Sequence, residues 1–151
     1  MRIVIDTNVL FSALYRPDSP PGDLLMLAIE GELELFAPQT VRAEIERALT
    51  DKLHYGPADL IATVSSFPVE WIDEPLYRSK MGIALSSIRD ASDAPVVAVA
   101  LVVKAQIVSG DKDFHPLLKK VVRTWKPKGL LLRKRRSGAR VRGPKPPTEG
   151  T

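Results

Sequence analysis

Cysteine is absent from this chain of 151 residues. Disulfide frameworks and thiolate-held metal sites are therefore excluded. Histidine is nearly absent too, with only His54 and His115, too few for a histidine-rich metal centre. Any metal held here sits among oxygen ligands, which suits Mg²⁺ or Mn²⁺. No apolar run approaches the roughly 20 residues that span a bilayer. The N-terminus lacks the basic stretch and apolar core of a secretory signal, so the chain is expected to be cytoplasmic. No internal repeat is visible.

What is present fits one globular domain. The hydrophobic fraction of 44% and charged fraction of 26% are those of a chain that builds a core and keeps a polar surface. The formal charge of +4 is unevenly placed. From Arg133 to Thr151 there are seven cations and one acid, a net +6, which leaves −2 for the preceding residues. The division predicts a domain over residues 1–132 and a basic tail over 133–151. The tail is rich in Arg, Lys, Gly and Pro and poor in apolar side chains, so it reads as disordered.

The chain opens with an apolar run, Ile3-Val4-Ile5, that ends at Asp6-Thr7-Asn8. Three β-branched residues together suit a strand buried on both faces, as in the middle of a parallel sheet. Asn8 to Tyr15 reads as a short helix and Asp23 to Glu30 as a second. Leu33 to Phe36 is a strand, and Pro38 starts a helix with Val41, Ile45, Ala48 and Leu49 on its apolar face. Pro57 to Ser66 is helical and Val69 to Ile72 a strand. Leu76 to Ser86 has no clear class. Val96 to Lys104 is a helix apolar on nearly every side, followed by a strand at Gln106 to Val108. Phe114 to Lys119 reads as a helix, and Val121 to Thr124 and Leu130 to Leu132 as late strands. Strands alternating with helices imply an α/β fold, a three-layer α/β/α sandwich around a central parallel sheet.

Four acids fall at equivalent places in that pattern. Asp6 ends the first strand, Glu44 lies in the helix after the second, Asp93 opens the most apolar helix, and Asp111 ends the strand after it. Strand C-termini and the N-terminal turns of following helices share one sheet edge, so the four can converge there. Clustered carboxylates repel unless a cation neutralises them. A divalent ion held by a few carboxylates can activate water and stabilise a leaving oxygen in phosphodiester cleavage. Each acid also has a purely structural reading: Asp6 and Asp93 as helix caps, Glu44 as a solvated helix residue, Asp111 as a turn acid. Their common edge, rather than any one of them, carries the catalytic reading.

Four blocks of the sequence resemble a known family: Ile5-Asp6-Thr7-Asn8-Val9-Leu10, Val41-Arg42-Ala43-Glu44-Ile45, Arg89-Asp90-Ala91-Ser92-Asp93-Ala94, and Val108-Ser109-Gly110-Asp111-Lys112-Asp113-Phe114. Together they look like a PIN domain over Met1 to Leu132, similar to bacterial and archaeal toxin-like proteins of VapC type. The resemblance implies a metal-dependent endoribonuclease with Asp6, Glu44, Asp93 and Asp111 as catalytic metal ligands for Mg²⁺ or Mn²⁺. It makes Asp90 and Asp113 accessory acids, Thr7 and Ser109 hydroxyls beside the site, and Asn8 a residue shaping the first loop. It further implies an RNA substrate, a cognate antitoxin and a homodimer. The basic tail lies outside the family pattern, and Pro75 to Ser87 has no match in it.

The tail is the second nucleic-acid candidate. Arg133, Lys134, Arg135, Arg136, Arg140 and Arg142 would bind phosphates without sequence preference, or else serve only solubility. His115 reads as a surface residue near Asp111, and His54 as a helix-end residue. Trp71 and Trp125 read as core or interface residues. Two rival functions remain open. One is a catalytically silent PIN-like module that binds RNA or protein. The other, a phosphoacceptor signalling domain, calls for paired acids at the first strand, and Asp6 has no acidic neighbour.

Overall fold

A computed structural model describes residues 1–110 and 118–142, with side chains described through residue 136. The elements in chain order are β1 (Arg2–Ile5), α1 (Thr7–Tyr15), α2 (Pro20–Ile29), β2 (Glu34–Pro38), α3 (Gln39–Leu53), α4 (Pro57–Ser66), β3 (Val69–Ile72), α5 (Glu74–Tyr77), α6 (Met81–Ser86), α7 (Ala94–Val103), β4 (Gln106–Val108), α8 (Leu118–Val121), β5 (Thr124–Trp125) and α9 (Pro127–Arg142). Short 3₁₀ turns at Arg78–Lys80 and Ala91–Asp93 lead into α6 and α7. The five strands form one parallel sheet in the order β3-β2-β1-β4-β5, the α/β arrangement expected.

The order has a functional consequence. From β1 the chain steps outward to β2 and β3, then returns across the sheet to β4 on the other side of β1. The direction of winding reverses between β1 and β4, and α/β proteins place ligands outside the strand ends at such a point. The register pairs Ile5 with Val108, so Asp6 and Ser109 leave the sheet side by side.

β1 holds this position because it is apolar on both faces. Ile3, Val4 and Ile5 are fully buried. Helix α7 packs across β1, β2 and β4, and its Ala94, Val97, Ala98 and Val99 have no exposed surface. Lys104 ends it in the left-handed region, with φ 56°. The corner between α1 and α2 is closed by Gly22, where a Cβ would meet the Pro17 carbonyl oxygen at 2.0 Å; no other residue fits there without moving backbone. Among the described residues, no helix is long and apolar enough to cross a membrane.

Two expectations from sequence are corrected. Leu130 to Leu132 is not a strand but part of α9. A three-residue apolar run has no decisive period, and here Leu130 and Leu131 are buried together while Leu132 points outward. The expected strand at Val121 to Thr124 is displaced, with Val121 ending α8 and the strand formed by Thr124–Trp125. The boundary expected at residue 133 falls within helix α9. Helix α9 continues to Arg142, packs on α2, and is tied to it by Arg135 and Asp23 at 4.0 Å. Tertiary packing of one apolar stripe is what stabilises a helix of such polar composition. The region around Pro75 to Ser87 is helical, as α5, a 3₁₀ turn and α6.

Candidate active site

β1 delivers Asp6 to the crevice, and α1 begins with the next residue. Asp6 is the N-cap of α1, its Oδ1 accepting the Val9 N–H at 3.0 Å. Its other oxygen, Oδ2, accepts the Ser109 hydroxyl. Ser109 is 2% exposed and is itself fixed in the sheet, its N–H donating to the Trp125 carbonyl at 2.9 Å. The capping and catalytic readings of Asp6 are thus not exclusive. One carboxylate ends the central strand, starts α1 and faces the pocket.

Glu44 arrives from α3, which follows β2. The Thr7 hydroxyl donates to Glu44 Oε2 at 2.6 Å, across 37 residues of sequence. Glu44 is exposed in the ordinary sense, yet this bond aims its carboxylate at the start of α1. Glu46, two positions on, instead pairs with Arg42 at 3.1 Å. The Arg42 guanidinium also lies 6.0 Å from the Trp71 ring centroid, which accounts for Trp71 as a packing residue.

Asp93 stands at the N-cap position of α7, but its side chain makes no capping hydrogen bond. It is half-buried and lines the pocket with Asp6 and Glu44. The turn before it is shaped by Asp90, whose carboxylate accepts the Ser92 N–H at 3.0 Å. The same Ser92 N–H, helped by the Ser92 hydroxyl, holds the Asp90 carboxyl below the usual carboxylate range. Asp90 therefore sets the approach to Asp93 rather than lining the pocket.

The pocket wall is completed by Thr7, Asn8, Thr40, Val41, Ser92 and Val96. Thr40 and Ser92 were not singled out from the sequence. Thr40 lies one helical turn before Glu44 and Ser92 directly before Asp93, so proximity to the acids was the available signal. Asp111, Asp113 and His115 lie outside the described residues. His54 is the left-handed C-cap of α3. Trp125 donates its indole N–H to Gln106 at 2.6 Å and carries the Arg123 guanidinium 4.2 Å from its ring centroid.

The donor set is chemically uniform. Among the described lining residues, three carboxylates from three separate elements meet hydroxyls and an amide, with no sulfur or imidazole. Oxygen-only sites suit hard divalent cations. Among the described residues, no group of three or more acids or histidines is drawn together closely enough to hold an ion by itself. The pocket is thus a wall of acids on one edge of the sheet.

Comparison with known proteins bears on the fold and the family. A family model described as PIN domain matches residues 2–113. An uncharacterized protein from Methanocaldococcus jannaschii is 32% identical over 122 residues, which span 78% of this chain and 75% of that protein. Among solved structures, VapBC2 from Rickettsia felis bound to a promoter DNA fragment is similar with a TM-score of 0.59 at 20% identity, covering 83% of this chain and 98% of that chain. A toxin-antitoxin complex from Klebsiella pneumoniae is similar with a TM-score of 0.61 at 15% identity, covering 83% and 97%. At such identities the structural likeness speaks for the fold, while the family model speaks for membership.

Proposed function

The chain belongs to the PIN domain family, a family typically of nucleases, and on that premise we propose that it is an endoribonuclease dependent on Mg²⁺ or Mn²⁺. The observation that carries this reading is the convergence of Asp6, Glu44 and Asp93 on one pocket at the switch point of the sheet. Asp111, expected to be the fourth ligand, follows Ser109 and Gly110 directly in sequence. These four residues would hold the cation. When bound, it lowers the pKa of a water and neutralises charge on the scissile phosphate.

The chain's own residues orient and support that set. Ser109 fixes one Asp6 oxygen and the Val9 N–H the other, so this carboxylate cannot rotate freely. Thr7 holds Glu44 toward the pocket. Asn8 and Thr40 present polar groups on the pocket wall, suited to contacts with ribose or phosphate oxygens. A pocket of acids repels a polyanion when empty, so cation binding supports substrate binding as well as chemistry.

The decisive experiment is cleavage of a labelled single-stranded RNA after chelation and metal return. Chelated protein should be inactive, and Mg²⁺ or Mn²⁺ should restore cleavage. Cleavage that persists in excess chelator overturns the metal-dependent mechanism. A silent binding module would instead hold the RNA intact at every metal concentration.

Thr7 is a positioning residue, acting through Glu44. A hydrogen bond to a carboxylate beside a metal contributes about 10-fold or more to metal affinity or activity. Thr7→Val should therefore raise the Mg²⁺ concentration needed for half-maximal cleavage by about tenfold, with little change in thermal midpoint. Thr7→Ser, which keeps the hydroxyl, should restore the wild-type requirement. Equal metal requirements in all three proteins would exclude the role.

We further propose that the protein acts in the cytoplasm as the toxin of a toxin–antitoxin pair and as a homodimer. Supporting this are the fold shared with the Klebsiella toxin-antitoxin complex and with VapBC2 of Rickettsia felis. Growth arrest on expression, relieved by the product of a small adjoining gene, is the expected phenotype.

A further inference from the structure

We propose that α9 and the residue before it form a built-in track for the phosphate backbone of the RNA strand being cut, starting at the rim of the catalytic pocket. This inference rests on the nuclease reading and extends it to how substrate is held.

The track starts from sheet register. Val108 pairs with Trp125, and the Ser109 N–H donates to the Trp125 carbonyl. Lys126, the next residue, therefore leaves the sheet beside Ser109, whose hydroxyl is bonded to Asp6. Neighbouring strands lie about 4.8 Å apart, so Lys126 stands on the same edge as the acids, two strands from β1. Its carbonyl accepts the Leu130 N–H at 3.0 Å, which makes Lys126 the fixed start of α9.

From there the cations follow a rigid element. Lys126, Lys128, Arg133 and Arg136 are exposed. Lys128 and Arg136 are two i+4 steps apart, and Arg133 and Arg136 are at i, i+3, so they lie along the outward side of the helix. Leu130 and Leu131 occupy the opposite side and are buried, and α9 packs on α2. At 1.5 Å per residue, Lys128 to Arg136 covers about 12 Å. Among the described residues, Arg135 is the cation of α9 with a carboxylate within 4.0 Å, that of Asp23. Arg135 thus serves docking of the helix, while the outward cations face solvent.

Charge complementarity selects the partner. Asp6, Glu44 and Asp93 line the pocket, and Pro127–Arg142 carries seven cations and no acid, so a basic helix starts on the same sheet edge as an acidic pocket. A polyanion repelled by the first is attracted by the second. Exposed cations on a fixed helix suit a phosphate backbone without base readout.

The test is salt-dependent binding of a short labelled single-stranded RNA by the full chain with metal chelated, alongside cleavage in Mg²⁺. Each phosphate contact to a single strand contributes about 0.7 to the slope of log affinity against log salt. Lys126→Gln with Lys128→Gln should lower the slope by about 1.4, and adding Arg133→Gln with Arg136→Gln should lower it by about 2.8 in total. Cleavage by the quadruple variant should lose affinity for RNA while keeping the metal requirement of the parent. An unchanged slope in the quadruple variant, with normal thermal unfolding, overturns the track and leaves the nuclease reading standing. Tighter binding of duplex DNA, with the same loss of slope, would reassign the surface to DNA and overturn it as well. No metal-dependent cleavage by the parent, with the slope loss intact, defeats the nuclease reading but supports the cationic track.

Discussion

Asp6→Asn should abolish cleavage while leaving the fold as stable as the parent. Asparagine caps helices about as well as aspartate, and its amide oxygen can still accept the Val9 N–H that Asp6 now accepts. What is lost is the negative charge, the property a hard divalent cation demands. Loss of an outer ligand-supporting group already costs about 10- to 100-fold, so loss of a direct ligand's charge should reduce initial rates by at least about 100-fold. The stability side is separable with Asp6→Ala. That variant loses both charge and cap, and the missing cap should cost about 1 kcal/mol, or about 2–4 °C in thermal midpoint. Initial rates on labelled RNA at several Mg²⁺ concentrations, with thermal melts of each variant, check both. Wild-type rates in Asp6→Asn would remove Asp6 from the chemistry. Equal melting of the Asn and Ala variants would remove the capping account.

Ile5→Ala has the largest expected effect on stability. Ile5 is fully buried at the end of the central strand, with β2 on one side of β1 and β4 on the other. Truncating a buried isoleucine to alanine costs about 2–5 kcal/mol through lost transfer energy and the cavity left behind. For a domain of this size that corresponds to a fall of about 5–15 °C in midpoint. Ile5→Val, which removes one methylene, should cost only about 0.5–1.5 kcal/mol. Denaturant unfolding of the three proteins with a common slope measures the differences. A loss below about 1 kcal/mol for Ile5→Ala would contradict burial of this strand on both faces. Because Ile5 directly precedes Asp6, the alanine variant assayed well below its midpoint also shows how far strand packing positions the carboxylate.

The elements legible in the sequence were those whose signal is local. Ile3-Val4-Ile5 announces a doubly buried strand because no polar residue interrupts it. Helix α7 announces itself by being apolar all round, and the sheet order is consistent with the alternation that preceded it. The four sequence blocks resembling PIN domains agree with the matched family model over residues 2–113. Glu44 was harder. It differs from Glu46 by two positions on one helix, and nothing local says which meets a pocket. Contact with Thr7, 37 residues away, distinguishes them.

The late chain shows the opposite case. Its Arg, Lys and Gly content argued for disorder after Leu132, and Leu130 to Leu132 looked like strand. The strand reading failed, and helix α9 runs on to Arg142, because the deciding contact is remote: α9 packs on α2, with Leu130 and Leu131 buried and Asp23 meeting Arg135. A helix with one small apolar stripe forms only where another element covers that stripe.

By itself, then, the sequence determined the fold class, the family and which acids are candidates, because strand burial, helix capping and motif spacing are written in neighbouring residues. Only the tertiary structure decided that Asp6 serves as cap and pocket wall at once, that Thr7 and Ser109 brace two of the acids, and that Lys126 begins a cationic helix beside them. Those facts depend on which strands lie next to which. That order follows from closure of the whole core, and no local stretch of sequence encodes it.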